Sequence, residues 1–149
     1  MIRELKLVAL AKATAPSQLK TKEKKQSEIE MSTYKYFSPK TDPKIDWDKV
    51  DHYAIAMLDE ARRIAGVPFR ITSHYRTKEE DIKLAGFAGA HTEIKCSAFD
   101  IAYKNSVDAH AILRGLFRAG FIRIGVNFKN LHIHCDNDKT RPHPAFWIE

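Results

Sequence analysis

Between Asp48 and Ala65 the apolar residues Val50, Ala54, Met57, Leu58, Ala61 and Ile64 recur every three or four positions, which puts them along one face of a helix. Asp46 and Asp48 are candidate caps at its start, and Gly66 is a stop at its end. A helix with one apolar stripe must be covered by a second layer, so the segments that follow decide the fold class. Val67 to Thr72 is short and partly β-branched, bounded by Gly66 and the polar pair Ser73-His74, which predicts a strand. Lys78 to Gly86 predicts a shorter helix, and Gly86 with Gly89 marks a loop leading into His91. Ser97 to Tyr103 alternates, with Phe99, Ile101 and Tyr103 on one face and Ala98, Asp100 and Ala102 on the other. A further helix is predicted over Ser106 to Ala119, capped by Asn105 or Ser106 and ended by Gly120. Phe121 to Val126 and Leu131 to Asp136 predict two strands joined by the polar turn Asn127-Phe128-Lys129-Asn130, a hairpin. Phe146 and Trp147 are expected to close the core. Helices and strands mix without a regular βαβ alternation, so the expected fold is α+β: a single domain, a largely antiparallel sheet with helices packed on it.

The 149 residues suit one domain with a buried core, and 44% hydrophobic against 30% charged residues is ordinary for a globular chain. Half of the formal charge of +6 sits in residues 1–30, which hold seven Lys and Arg against four Glu. This stretch reads as a poorly ordered basic extension or linker, with the folded domain at residues 31–149. Within it, Arg3 and Lys6 precede Leu7-Val8-Ala9-Leu10-Ala11 in the manner of a signal peptide, but Lys12 interrupts the short apolar run and Pro16 follows Ala13-Thr14-Ala15, so export by this segment is not expected. No run of about 18 apolar residues predicts a membrane span. The basic residues form no aromatic-interleaved stripe and no phosphate-binding glycine loop is present, so neither nucleic acid nor nucleotide is an expected partner. Cys96 and Cys135 make no disulfide framework and are read as free, partly buried thiols, with a single bridge or an occasional soft ligand as alternatives. A monomer is expected.

The chemistry concentrates near the end of the chain. On a strand, His132, His134 and Asp136 share one side while Ile133 and Cys135 take the other. A His-x-His pair is a weak signal alone, but His91 and, nine residues later, Asp100 offer complementary ligands from a second segment. One His, one Asp and one strand histidine make three nitrogen and oxygen donors with a fourth tetrahedral position open, the pattern of a catalytic zinc. Zinc in such a site polarises a carbonyl and makes hydroxide available near neutral pH, which implies hydrolysis.

Residues 36–149 resemble the zinc D-alanyl-D-alanine carboxypeptidase family, which includes phage peptidoglycan endopeptidases and shares its metal-site architecture with the hedgehog signalling domain. The family's Ser-Gly-Tyr-Arg-Thr turn appears as Ser73-His74-Tyr75-Arg76-Thr77. Its Ser-x-His-x-x-Gly-x-Ala-x-Asp-Ile motif is matched by Gly89-Ala90-His91 and Cys96-Ser97-Ala98-Phe99-Asp100-Ile101, and its closing His-x-His by His132-Ile133-His134. The entry Tyr36-Phe37-Ser38-Pro39 with Ile45-Asp46-Trp47 is similar as well. The resemblance implies that His91, Asp100 and His134 bind Zn2+. It also implies that Arg76 holds the substrate or steadies the tetrahedral intermediate, a task suited to a guanidinium fork, with Ser73 as a further substrate contact.

This chain departs from the family's pattern in places. The family separates its His and Asp by seven residues rather than nine, so two residues are inserted here. Gly89 replaces the motif's serine, Cys96 its glycine, and His74 the glycine of the turn. Leu131 stands three residues before His134, where many members carry an acidic general base. His132 is the first alternative for that base, Glu93 the second and Asp136 the third. His74 is open to contact with metal or substrate or to a hydrogen bond within its turn; His52, His110 and His143 are assigned to surface or packing. The expected function is zinc-dependent hydrolysis of a peptide bond in peptidoglycan stem peptides or cross-links, at the bacterial cell wall or periplasm, by a bacterial or an endolysin-like phage protein. A zinc-stabilised module that binds wall, or serves as a phage structural part, without turnover is the alternative.

Overall fold

Asp51 starts the first helix, α1 (His52–Ala65): its carboxylate accepts from the Tyr53 amide, and Gly66 ends the helix in the left-handed region at φ 72°. A computed structural model describes residues 34–149; the expectations for the signal-like segment and the basic linker lie outside the described residues. After α1 come β1 (Arg70–Ser73), α2 (Lys78–Ala85), a 3-10 turn (Ala90–Thr92), β2 (Phe99–Ala102), α3 (Ser106–Ala119), β3 (Arg123–Asn127), β4 (His132–Asp136) and β5 (Ala145–Ile148). The strand expected from Val67 begins at Arg70, because Pro68 has no N–H to give to a ladder. Thr77 and Glu80 form a reciprocal capping box on α2, and Asn105 caps α3 through the amides of Val107 and Asp108.

The five strands form one sheet in the order β1-β2-β4-β3-β5, antiparallel except for the β3–β5 pair, which is parallel. This is a small α+β domain with a mixed sheet. Alternation along the strands sends Phe99, Ile101, Ile124, Val126, Ile133 and Cys135 into the core with α1 and α3. Burying side chains such as Leu58, Ile112 and Leu116 completely stabilises the fold by about 2 kcal/mol each. The two helices meet at Gly115, where a Cβ would stand 2.3 Å from the Ala61 carbonyl oxygen, so only glycine permits this approach. Among the described residues, no helix is long and apolar enough to cross a membrane.

One expectation is corrected at the chain's end. Phe146 and Trp147 do not close the core: they belong to the edge strand β5, where Phe146 is exposed against Phe117 and Trp147 turns to the opposite face of the sheet. Alternation on a half-buried edge strand explains this, because consecutive aromatics must point to opposite sides. Cys96 and Cys135 are both buried and unbridged. Burial pushes the Cys96 thiol up to about 12, so it is an inert packing group rather than a nucleophile or ligand.

Candidate metal centre

The sheet face away from α1 and α3 carries the polar residues. Asp100 on β2 and His134 on β4 are direct cross-strand partners, so the ladder itself brings a carboxylate and an imidazole together. His91 arrives from the 3-10 turn, which a small cluster of Ala90, Cys96, Ala98 and Tyr75 packs down. His91 Nε2, Asp100 Oδ1 and His134 Nδ1 then form a nearly equilateral triangle with edges of 3.2, 3.2 and 3.1 Å. Ligand atoms around a tetrahedral zinc at bonds of 2.0–2.1 Å stand roughly 3.3 Å apart, so the three donors match one face of that tetrahedron.

The outer hydrogen bonds fix which nitrogens face the centre. His91 Nδ1 donates to the His74 carbonyl oxygen, and His134 Nε2 donates to Asp136 Oδ2 at 2.7 Å. Both acceptors lack a hydrogen, so the neutral rings turn bare Nε2 and Nδ1 lone pairs inward toward the Asp100 carboxylate. Three acceptors this close are stable only around a cation. In the metal-free protein the cation is a proton: burial opposes it, but Asp100 and Asp136 outweigh burial and raise His134 to about 9. Asp100 is likewise opposed by burial, yet its bonds and charge interactions with His134 and His91 hold it well below the usual carboxylate range. Metal must displace the His134 proton, so apparent affinity is expected to fall roughly tenfold per pH unit as pH drops below about 9. Zinc competition titrations across neutral pH check this; a flat affinity would refute it.

A second layer holds the carboxylates. Arg76 gives Nη2 to Asp100 Oδ2 at 3.0 Å, Nη1 to Asp81 Oδ1 at 2.6 Å and Nε to Ser73 Oγ at 3.0 Å. Asp81 Oδ2 in turn accepts from the Gly89 amide at 2.6 Å, which ties α2 to the loop that delivers His91. On the other side Arg123 Nε lies 3.0 Å from Asp136 Oδ1. The centre sits on the floor of an open cavity of about 790 Å³, walled by Leu84, Ala85 and Phe87 at the end of α2.

The family model described as Peptidase M15 matches residues 22–136, most of the chain and the whole of this centre. The chain belongs to the peptidase M15 family. No curated protein and no solved structure matches it. M15 enzymes are zinc-dependent metallopeptidases, and this chain's His, Asp and His set, with its committed outer nitrogens, fits the metal that such activity needs.

Around the M15 centre the other expected residues separate. His132 lines the cavity two residues along the same strand face from His134. Glu93 does not join it: the chain leaves the 3-10 turn extended at φ −72° and ψ 140°, and Glu93 lines a different cavity with Tyr53, Lys95 and Lys139. Asp136 is present but committed to His134 and Arg123. Leu131, at φ 50° and 46% exposed, turns away from the cavity. Ser73 and Arg76 both line the cavity, and Arg76 retains one uncommitted hydrogen on each Nη. His74 is no ligand; it is fully buried, accepting from the Asp46 amide at Nδ1 and donating to the Cys96 carbonyl from Nε2, and burial lowers it to about 4. Sequence reasoning missed Asp81, a buried anchor on a helix of polar composition, and Trp147, whose ring lies 5.5 Å from His134. Gly125 lies between them in register, and a Cβ there would fall 2.4 Å from the indole. That glycine between two strand residues is the one signal that an aromatic ring crosses the sheet here.

Proposed function

We propose that this M15 metallopeptidase hydrolyses a peptide bond in the stem peptides or cross-links of bacterial peptidoglycan, with zinc held by His91, Asp100 and His134. The observation that carries the reading is the three-donor triangle with one side open to a large cavity, since a fourth protein donor would make the site structural. Zinc bound there polarises the scissile carbonyl and brings the attacking water within reach of neutral-pH deprotonation. His132 is the nearest uncommitted base on the same strand face and accepts the proton of the attacking water. Arg76, fixed by Asp81 and Asp100, turns its two spare hydrogens to the developing oxyanion or to a substrate carboxylate. Ser73 orients Arg76 through Nε and lines the same wall.

The test is to incubate the zinc-loaded protein with purified muropeptides and look for released fragments by mass spectrometry. Cleavage that a chelator stops and zinc restores is the expected result. Metal-dependent binding to wall without any fragment would instead establish a non-catalytic module and end the enzymatic reading.

A further inference from the structure

The cavity floor is ordered in rows across β4, β3 and β5. Register aligns Asp136 with Arg123 in one row, His134 with Gly125 and Trp147 in the next, and His132 with Asn127 in the third. Glu149 follows β5 beside that third row, its amide bonded to the Val126 carbonyl oxygen at 2.8 Å. The Arg123 and Asn127 rows are about 13 Å apart along the strand. One end of the floor is therefore a guanidinium–carboxylate pair, the middle is the metal row and the far end is a carboxylate without a guanidinium.

The charges differ in how they are matched. Arg123 is paired with Asp136, Arg76 with Asp81 and Asp100, and Arg141 with Asp138. Glu149 lines the same cavity and has no arginine or lysine partner among the described residues. Its two oxygens are held by neutral donors, Oε1 by the Trp147 indole at 2.9 Å and Oε2 by the Asn127 amide at 3.1 Å. Each oxygen keeps lone pairs free, so the carboxylate is aimed and still able to accept. The family match ends at residue 136, before Trp147 and Glu149.

We propose that Glu149 is a specificity residue that binds a protonated primary amine of the substrate, with the amine's aliphatic stem lying along Trp147. The inference rests on the peptidoglycan reading, and it names the substrate class: stem peptides whose diamino residue has a free side-chain amine rather than one consumed in a cross-link. A preorganised carboxylate with no arginine or lysine of its own, set near only the His134 and His132 rings, is a good receptor for an ammonium group, which gives up less hydration when it meets a fixed acceptor.

The experiment compares a stem tripeptide ending in lysine, extended by D-alanine residues, with the same peptide acetylated on the lysine side chain. The zinc-loaded protein is expected to favour the free amine about tenfold in kcat/KM, through KM, and Glu149→Gln is expected to reduce that preference to about unity. Preference unchanged in Glu149→Gln, or a loss carried by kcat alone, overturns the proposal. Binding is read separately from turnover by titrating both peptides against the protein and following the Trp147 indole N–H resonance. A shift with the amine peptide, absent with the acetylated one, supports the amine site even where no cleavage occurs. No selective shift sinks the site while leaving the peptidase reading intact.

Discussion

Replacement of His134 by alanine is expected to remove both metal binding and hydrolysis. The substitution takes one of three donors from the triangle with His91 and Asp100, and two donors on an open cavity floor do not hold zinc at neutral pH. It also strips Asp136 of the Nε2 hydrogen at 2.7 Å, leaving that buried carboxylate to Arg123 and the Asp138 amide. Zinc at about a thousand times its Kd stabilises a protein by about 4 kcal/mol, which for a domain of this size raises Tm by roughly 10 °C or more. The parent should show that rise on zinc addition and lose it on chelation, whereas the variant should show neither. Calorimetric scans with and without zinc, alongside metal analysis, check the point. A His134→Ala protein that still binds zinc one-to-one with unchanged affinity would move the centre elsewhere.

The second large effect concerns Arg76. It bridges Asp81, whose side chain is 2% exposed, and Asp100, at 11%, while its own side chain is 18% exposed. Removing one partner of a buried ion cluster costs more than the cluster contributes, because an uncompensated charge stays behind. Arg76→Met is therefore expected to destabilise the fold by about 3 kcal/mol. The same change frees Asp100 Oδ2 and loosens the loop that Asp81 ties down through Gly89, so zinc affinity should fall roughly 10- to 100-fold. Denaturant titration gives the first number and metal competition the second. A double variant, Arg76→Met with Asp81→Leu, should recover part of the stability, since the stranded carboxylate is gone. If the single variant unfolds within about 0.5 kcal/mol of the parent, the network is not the anchor described.

Much of this was legible in the chain because it rests on short periods. The three-four spacing of α1, the Asn105 cap of α3 and the alternation of Phe99, Asp100 and Ile101 each report a local geometry that tertiary packing did not override. Alternation put His132 and His134 on one strand face and Asp100 among small neighbours, while the family resemblance chose His134 of the pair and supplied His91, whose two inserted residues fall in the loop between the 3-10 turn and β2. Other parts were not legible. Glu93 stood second to His132 as a candidate base, since nothing in a loop sequence states the direction of a side chain. Asp81 looked like one more charge on a polar helix; only its position under Arg76 makes it structural. Trp147 looked like core because a large indole is on average highly buried, and the parallel edge strand that places it beside His134 depends on a pairing more than ten residues away.

The unequal origin of the three donors has a consequence for exchange. Asp100 and His134 are locked by adjacent rungs of one ladder, and a slip of one residue would drive Asp100 into the core and Phe99 out. His91 stands outside the ladder on a turn of three residues, held by the His74 carbonyl and the Asp81–Gly89 bond. Ion capture and escape are therefore expected to run through brief opening of that turn while the sheet stays closed, with a residence time set by the free energy of a local fluctuation rather than by global unfolding.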